Sequence, residues 1–328
     1  MTAVTTARDG TARSAAATMD LAVTGIAEPV PGIRSITLAA HDGGRLPGFV
    51  PGSHIVVQAG AHANAYSLTS DGFAPTAYTI SVLRVADGKG GSRWLHDHLK
   101  VGDTVAVHPP RSAFAPLPRA RKHLLVAGGI GVTPIVSHLR SAQRWGRTTQ
   151  VLYTFRDGHG AHADEIADLA GDSAEFFTDR GSFADRLAHA LGDQPIGTHL
   201  YVCGPAPMID HVLATAHRHG WPSSRVHLER FGAAALDGGD PFTVTLTRTG
   251  RVIDVASGTS LLGALEDNGI DVPSLCRQGV CGECRIPVCG GTPVHRDLFL
   301  GDDEKAAGDS LMPCVSRAEK GTMLEVPL

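Results

Sequence analysis

Between residues 21 and 117, apolar and polar positions alternate in short runs at Ile33–Ala39, His54–Gln58, Ala65–Thr69, Tyr78–Leu83 and Thr104–His108. Pro31-Gly32, Pro47-Gly48, Pro51-Gly52 and Pro109-Pro110 punctuate them. A period of two broken at close intervals by Pro and Gly predicts short strands, and with one helix over Ser92–Leu99 the segment predicts a small antiparallel β-barrel. From Lys122 the rhythm lengthens. Apolar runs at His123–Ala127, Gln150–Phe155, Glu175–Thr178, Leu200–Cys203 and Arg225–Leu228 alternate with helical stretches at Pro134–Trp145, Ala163–Leu169, Phe183–Leu191 and Ala206–His219. This predicts βαβ units and a parallel sheet covered on both faces. The Gly- and Ala-rich stretch 232–240 reads as a linker. Beyond it, Phe242–Thr247 and Val252–Val255 flank a Thr249-Gly250 turn and predict a hairpin. Thr259 or Ser260 can cap a helix running to Asn268, which Gly269 stops. The expected organisation is a disordered tail (1–19), a β-barrel (20–117), an α/β parallel-sheet domain (118–231), a linker (232–240) and a compact α+β module (241–328).

Composition narrows the class. The 328 residues are 42% hydrophobic and 19% charged, ample for packed cores and unlike a disordered chain. No apolar run approaches 18 residues, so a transmembrane helix is not expected. A net charge of -4 argues against nucleic acid or an anionic membrane as partner. The excess acid sits at the C-terminal end, where residues 241–328 hold 12 acidic and 8 basic side chains. Met1–Asp20 lacks the apolar core of a secretory signal. A transit peptide or a disordered leader would fit there; the leader, and a cytoplasmic location, are the expectation.

The cysteines carry the strongest signal. Cys276, Cys281 and Cys284 lie on one short stretch and Cys314 follows at a distance, a C-x4-C-x2-C…C spacing that suits a plant-type [2Fe–2S] cluster. Zinc modules usually pair two C-x2-C knuckles, and only one such pair exists here. Gly279 and Gly282 suit a loop that folds tightly round sulfide, where a residue without Cβ permits positive φ. Cys289 falls outside the pattern and is expected as a buried or half-buried bystander. After the first strand of the α/β unit, Gly128-Gly129-Ile130-Gly131-Val132-Thr133-Pro134 opens a helix, where backbone N–H groups can receive a pyrophosphate. The strand ending at Cys203, followed by Gly204-Pro205, brings a second segment to the same sheet edge. Asp179 after the third strand favours ribose hydroxyls, whereas Arg156 after the second could accept a 2′-phosphate; NADH is preferred over NADPH. The 17 histidines lack the i, i+4 spacing of a helical metal site and are expected to be mostly solvated.

The stretch Cys276-Arg-Gln-Gly-Val-Cys-Gly-Glu-Cys-Arg-Ile-Pro, with His295-Arg296-Asp297 and Met312-Pro-Cys-Val-Ser-Arg317, resembles the ferredoxin domain of the phthalate dioxygenase reductase family, to which vanillate O-demethylase reductases also belong. The resemblance runs from about residue 20 to the end. It implies an FMN barrel, a nicotinamide domain and a C-terminal β-grasp ferredoxin, in that order. It also implies that Gly129, Gly131, Thr133 and Pro134, with Cys203, Gly204 and Pro205, bracket the nicotinamide dinucleotide, with Met208 following at a helix start. For the flavin it implies Tyr66, Ser67 and Leu68 along the ring and Gly90, Gly91, Ser92 and Arg93 at the phosphate, with Phe231 flanking. Asn64 stands where the family usually places arginine, leaving Arg93 or His62 to compensate.

Nicotinamide gives two electrons at once and an iron–sulfur centre takes one at a time, so a flavin between them completes a relay. The resemblance implies that the relay ends at the oxygenase component of a Rieske-type demethylase or hydroxylase. Electrons would fall from about −400 mV to roughly −150 mV or above. Two alternatives stay open at this point: a haem monooxygenase or another carrier as acceptor, and a redox sensor that binds cofactors without turnover. Ring positioning is expected to do most of the catalytic work, with no acid, base or nucleophile assigned.

Overall fold

A computed structural model of the chain describes residues 18–88, 90–112, 114–231, 239–274, 279, 282–297 and 299–328. Most of the expected tail and linker, together with Cys276 and Cys281, lie outside the described residues.

The first sheet comprises β1 (Met19–Val30), β2 (Ile33–Ala39), β3 (Ser53–Ala59), β4 (His62–Ser67), β5 (Ala77–Leu83), β6 (Thr104–Val107) and β7 (Arg111–Ser112) in the order β4-β3-β6-β1-β2-β5, with β7 on β3. A bridge from Leu68 to Ile80 brings its two ends together and closes the barrel. Leu21, Ile36, Ile55, Leu68 and Ile80 fill its core. One short helix, α1 (Gly91–Asp97), packs against β3, β4 and β5. Met19 pairs with Val107 and so belongs to the barrel rather than to the tail. The pattern missed β1 because register shifts between Val23 and Gly25, and between Ala27 and Val30, break its two-residue alternation.

The second sheet is parallel, ordered β10-β9-β8-β11-β12. Its chain course is β8 (Lys122–Gly128), α2 (Val132–Arg144), β9 (Thr149–Thr154), α3 (Ala163–Ala170), β10 (Ala174–Phe177), α4 (Arg180–Gly192), β11 (Thr198–Cys203), α5 (Ala206–Arg218) and β12 (Val226–Glu229). Each βαβ crossover needs a helix, and Leu125, Val126, Leu200 and Val202 are wholly buried beneath those helices. The barrel and this unit share a core: Ile33 of β2 and Phe114 pack with Leu125, Ile135 and Tyr201. The connecting segment is clamped by aromatic side chains. Tyr201 Oη accepts from Leu117 N at 2.7 Å, and His138 Nε2 lies 2.8 Å from Phe114 O.

The C-terminal module has β13 (Phe242–Leu246) central between antiparallel β14 (Val252–Val255) and parallel β19 (Met323–Val326). Helix α6 (Leu261–Asp267) is capped by Ser260, whose Oγ accepts from Gly263 N, and Gly269 turns away at φ 75°. Two short antiparallel pairs complete the β-grasp: β15 (Ile286–Pro287) with β17 (Ser310–Leu311), and β16 (Pro293–Val294) with β18 (Arg317–Ala318), with α7 (Asp302–Ala307) between them in the chain. Cys289 is exposed, correcting the expectation of a buried bystander; it sits on the edge beside Gly290, outside the packed core.

Three histidines are exceptions to the expected solvation, the other fourteen being exposed or partly so. His54, His123 and His138 are buried, because their strands and helix face the barrel core or the domain junction. Burial, assisted by Arg111, lowers His54 to about 4, and burial lowers His138 to about 3. Between pH 6.5 and these values the unfolded chain takes up protons that the folded chain refuses, so stability falls as pH falls. Each buried ring contributes at most about 1.4 kcal/mol per pH unit. Thermal midpoints measured from pH 7 to 4.5 should decline steeply below pH 6. His138→Gln keeps a donor for Phe114 but cannot titrate, and should make that decline shallower.

Candidate flavin, nicotinamide and cluster sites

Side chains alternate along β4, so His62, Asn64 and Tyr66 share one face and Ser67 the other. The start of α1 lies against that first face. Gly90 has φ 103°, and a Cβ there would stand 2.7 Å from His62 Nε2; a Cβ on Gly91 would overlap Asn64 Oδ1. The two glycines thus let a helix start, with free backbone N–H groups, close on the β4 side chains. Asn64 Oδ1, on the first face, and Ser67 Oγ, on the other, are buried without a hydrogen-bond partner among the described residues, polar atoms that a flavin could satisfy. Ser92 Oγ accepts from Val85 N at 3.2 Å, Arg93 is exposed, and the Leu68 side chain faces the barrel core. Of the two residues that could stand in for the absent arginine, His62 is the one packed at the glycines. Burial pushes the Tyr66 hydroxyl well above the usual phenol range, keeping it neutral.

At the carboxyl edge of the parallel sheet, β9 and β11 flank β8 on opposite sides, making a switch point where open α/β sheets bind ligands. Gly129 takes φ 52° in a turn of 3-10 helix that leads into α2. A Cβ on Gly131 would lie 2.5 Å from the Cys203 carbonyl and 2.6 Å from Gly204 N, and one on Gly204 would lie 3.0 Å from Gly128 Cα. Glycine turn and Cys203–Pro205 segment therefore meet backbone to backbone. Met208 packs beneath both. Thr133 Oγ1 donates to Ile130 O, closing the turn from within, and Pro134 is buried in the first turn of α2. Arg156 is exposed beyond β9; Asp179 caps α4 by accepting from Ser182 N at 2.8 Å, which also holds its carboxyl below the usual range. Phe231, two residues past β12, is 39% exposed.

Sequence reasoning missed Glu229. It is the register partner of Cys203 on β12, it is buried, and one of its carboxylate oxygens has no hydrogen-bond partner among the described residues. Burial raises it to about 8; burial, then Glu229 itself, pushes the Cys203 thiol up. A strand-end acid leaves no spacing signal, so only the fold reveals it.

In the C-terminal module, Cys284 and Cys314 bring their sulfurs to 3.3 Å, too far for a disulfide and close enough to share one metal. Gly279 and Gly282 take φ 73° and 77°. Buried Asp297 ties the surrounding loops by accepting from Leu300 N at 2.8 Å and Ser316 Oγ at 3.2 Å. Arg317 donates to the carbonyls of Thr259, Asp240 and Ala256, fixing the segment after Cys314. Glu283, next to Cys284, reaches Arg111 of β7 at 3.7 Å, and Arg111 is the register partner of His54, itself paired with Ser67. The residue before Cys284 thus meets β7, across β3 from Ser67. A flavin supplies, when bound, the exchange between paired and single electrons.

Fold and site together define a modular reductase that joins a flavin barrel and a nicotinamide sheet to a [2Fe–2S] module. Residues 104–226 match the model of the dimethylamine monooxygenase subunit DmmA-like N-terminal domain, and residues 244–319 that of the 2Fe-2S iron-sulfur cluster binding domain. The chain is 41% identical to the heme-dependent oxidative N-demethylase beta subunit of Ectopseudomonas mendocina, over 91% of this chain and 96% of that one. It is 37% identical to a vanillate O-demethylase oxidoreductase from Pseudomonas sp., over 89% and 94%. The crystal structure of phthalate dioxygenase reductase, described as modular for electron transfer from pyridine nucleotides to [2Fe–2S], superposes with a TM-score of 0.71 at 34% identity, covering 95% of this chain and 98% of that one. The chain belongs to the phthalate dioxygenase reductase family. It is an oxidoreductase, the reductase component of an oxygenase system, using a flavin, a pyridine nucleotide and a [2Fe–2S] cluster.

Gly131→Ala should weaken NADH binding at least tenfold in an anaerobic titration while leaving flavin content unchanged, because the added methyl drives the turn off β11. Between pH 4.5 and 8 the unfolded chain releases the Glu229 proton and the folded chain keeps it, so stability falls as pH rises. Glu229→Gln should therefore raise the thermal midpoint at pH 7.5 and change it little at pH 5.

Proposed function

We propose that the chain takes hydride from NADH, bound between the glycine turn and Cys203–Pro205, onto FMN held by β4 and the Gly90–Gly91 helix start. It then passes electrons singly, through a cluster held by Cys276, Cys281, Cys284 and Cys314, to an oxygenase on a separate polypeptide. The single observation that carries the reading is the pairing of Arg111, on barrel strand β7, with Glu283 beside Cys284, which sets the barrel against the residue next to a cluster cysteine. Hydride transfer needs no protein acid or base; the residues position the rings, exclude water and hold charge. No helix among the described residues is long and apolar enough to cross a membrane. We place the protein in the cytoplasm, where cysteine ligands stay reduced.

The resemblance points to a Rieske-type acceptor. A haem oxygenase is the second reading, favoured by the relative named as a heme-dependent N-demethylase subunit and by the match over residues 104–226 to a domain of a dimethylamine monooxygenase subunit. Mixing the NADH-reduced protein anaerobically with a purified oxygenase of each kind decides between them: the true acceptor is reduced quickly and the other is not. Failure to reduce either would defeat the oxygenase reading.

Cys314→Ser should abolish electron delivery to any acceptor protein while sparing flavin reduction by NADH; loss of both would contradict the modular scheme. The surplus acid of residues 241–328 should steer docking to a basic face of the oxygenase, so the rate of its reduction should fall between low salt and about 0.15 M.

A further inference from the structure

Ser81 lies on β5 of the barrel, and His162 heads α3 of the nicotinamide unit. Their side chains meet across the boundary, His162 Nε2 lying 2.9 Å from Ser81 Oγ. The other ring nitrogen, Nδ1, is 2.9 Å from Glu165 Oε2 on the first turn of α3. Glu165 Oε1 in turn faces Arg140 Nη2 of α2 at 2.5 Å. On the barrel side, Ser81 Oγ is 2.8 Å from Ser35 Oγ, its register partner on β2. A continuous polar relay therefore joins two barrel strands to two helices of the neighbouring unit. His162 adopts φ 60°, a left-handed conformation that residues bearing a Cβ seldom enter. Its ring makes no bond to the backbone of α3 and instead spans Glu165 on that helix and Ser81 on the barrel.

Two elements of the relay reach the glycine turn. Helix α2 springs from the glycine turn, and β5 lies against that same turn. Tyr153 Oη donates to Gly129 O and Ala161 O, tying the turn to the residue before His162. A shift of His162 relative to Ser81 would thus move the glycine turn relative to the barrel.

We propose that His162 is a positioning residue for hydride transfer: through Ser81 it fixes the register of the nicotinamide unit against the flavin barrel. The inference rests on the reductase reading above. The step it governs moves one hydride from NADH, which leaves as NAD⁺, and reduces the bound flavin by the same two electrons. Transfer of this kind is steeply sensitive to ring placement, a displacement of about 1 Å costing up to about a hundredfold in rate. The glycine turn itself stays intact without the latch, so nucleotide affinity is preserved while the limiting rate falls.

The test compares the holoprotein with His162→Asn, Ser81→Ala and the double variant. Asparagine tolerates the left-handed backbone and is too short to reach Ser81, so the latch is removed without adding strain. Rapid anaerobic mixing with NADH gives the limiting rate of flavin reduction and the apparent Kd; hydrogen–deuterium exchange at β5 and the first turn of α3 reports the boundary without turnover. Each single variant should lose about tenfold in limiting rate with Kd within about twofold, both segments should exchange faster, and the double variant should be no slower than His162→Asn. Limiting rates within about twofold of the parent, unchanged exchange, or losses that multiply in the double variant overturn the proposal. A parent protein that takes no electrons from NADH overturns the reductase reading and the proposal together, whereas an active parent with unaffected variants overturns the latch alone.

Discussion

Two turns from neighbouring parallel strands approach so closely at the carboxyl edge of the second sheet that no side chain fits between them. Gly131 stands against the Cys203 carbonyl, and Gly204 stands over Gly128. Around that contact the remaining chemistry is arranged: the start of α2, the Cys203–Glu229 pair and the barrel strand β5 all lie within its reach. A parallel sheet orders strand ends in a row, so the glycine turn and the Cys203–Pro205 segment come to a single edge, where open α/β sheets bind ligands. Cores on both faces of the sheet hold the two turns rigid, which is what a reaction governed by distance requires.

The three modules are joined by different physics. Barrel and nicotinamide sheet share apolar side chains, Ile33 and Phe114 reaching into the neighbouring core, with Tyr201 and His138 holding the connecting segment. The cluster module meets the barrel through a charged pair, Arg111 with Glu283, that is partly open to solvent. Barrel and nicotinamide unit are thus held by shared packing together with the Ser81–His162 contact, while Glu283 meets the barrel in a contact that ions in solution weaken.

Much of this was legible in the chain. Period-two runs marked the barrel, β–α alternation marked the parallel sheet, and the cysteine spacing marked the cluster, because each follows from a local repeat or a fixed ligand count. Ser260 and Gly269 gave both ends of α6 for the same reason. What escaped lacked a local signature. Strand β1 hid behind its bulges. Glu229 is chemically notable only because β12 sets it beside Cys203 in a dry environment. His54, His123 and His138 read as surface residues because burial of a polar ring depends on carbonyls and strands distant in sequence. Asp179 was read as a ribose acceptor; the structure shows its side chain capping α4, which spacing alone could not reveal.

Strand β13, the first of the C-terminal module, takes β19 as its parallel neighbour, and Cys314 enters only shortly before that final strand. The barrel and the parallel sheet, by contrast, draw all their strands from within Met19–Ser112 and Lys122–Glu229. A growing polypeptide can therefore complete its flavin and nucleotide compartments while still on the ribosome. The C-terminal module instead closes on β19, a strand later in the chain than every element of the other two, so it is completed after them.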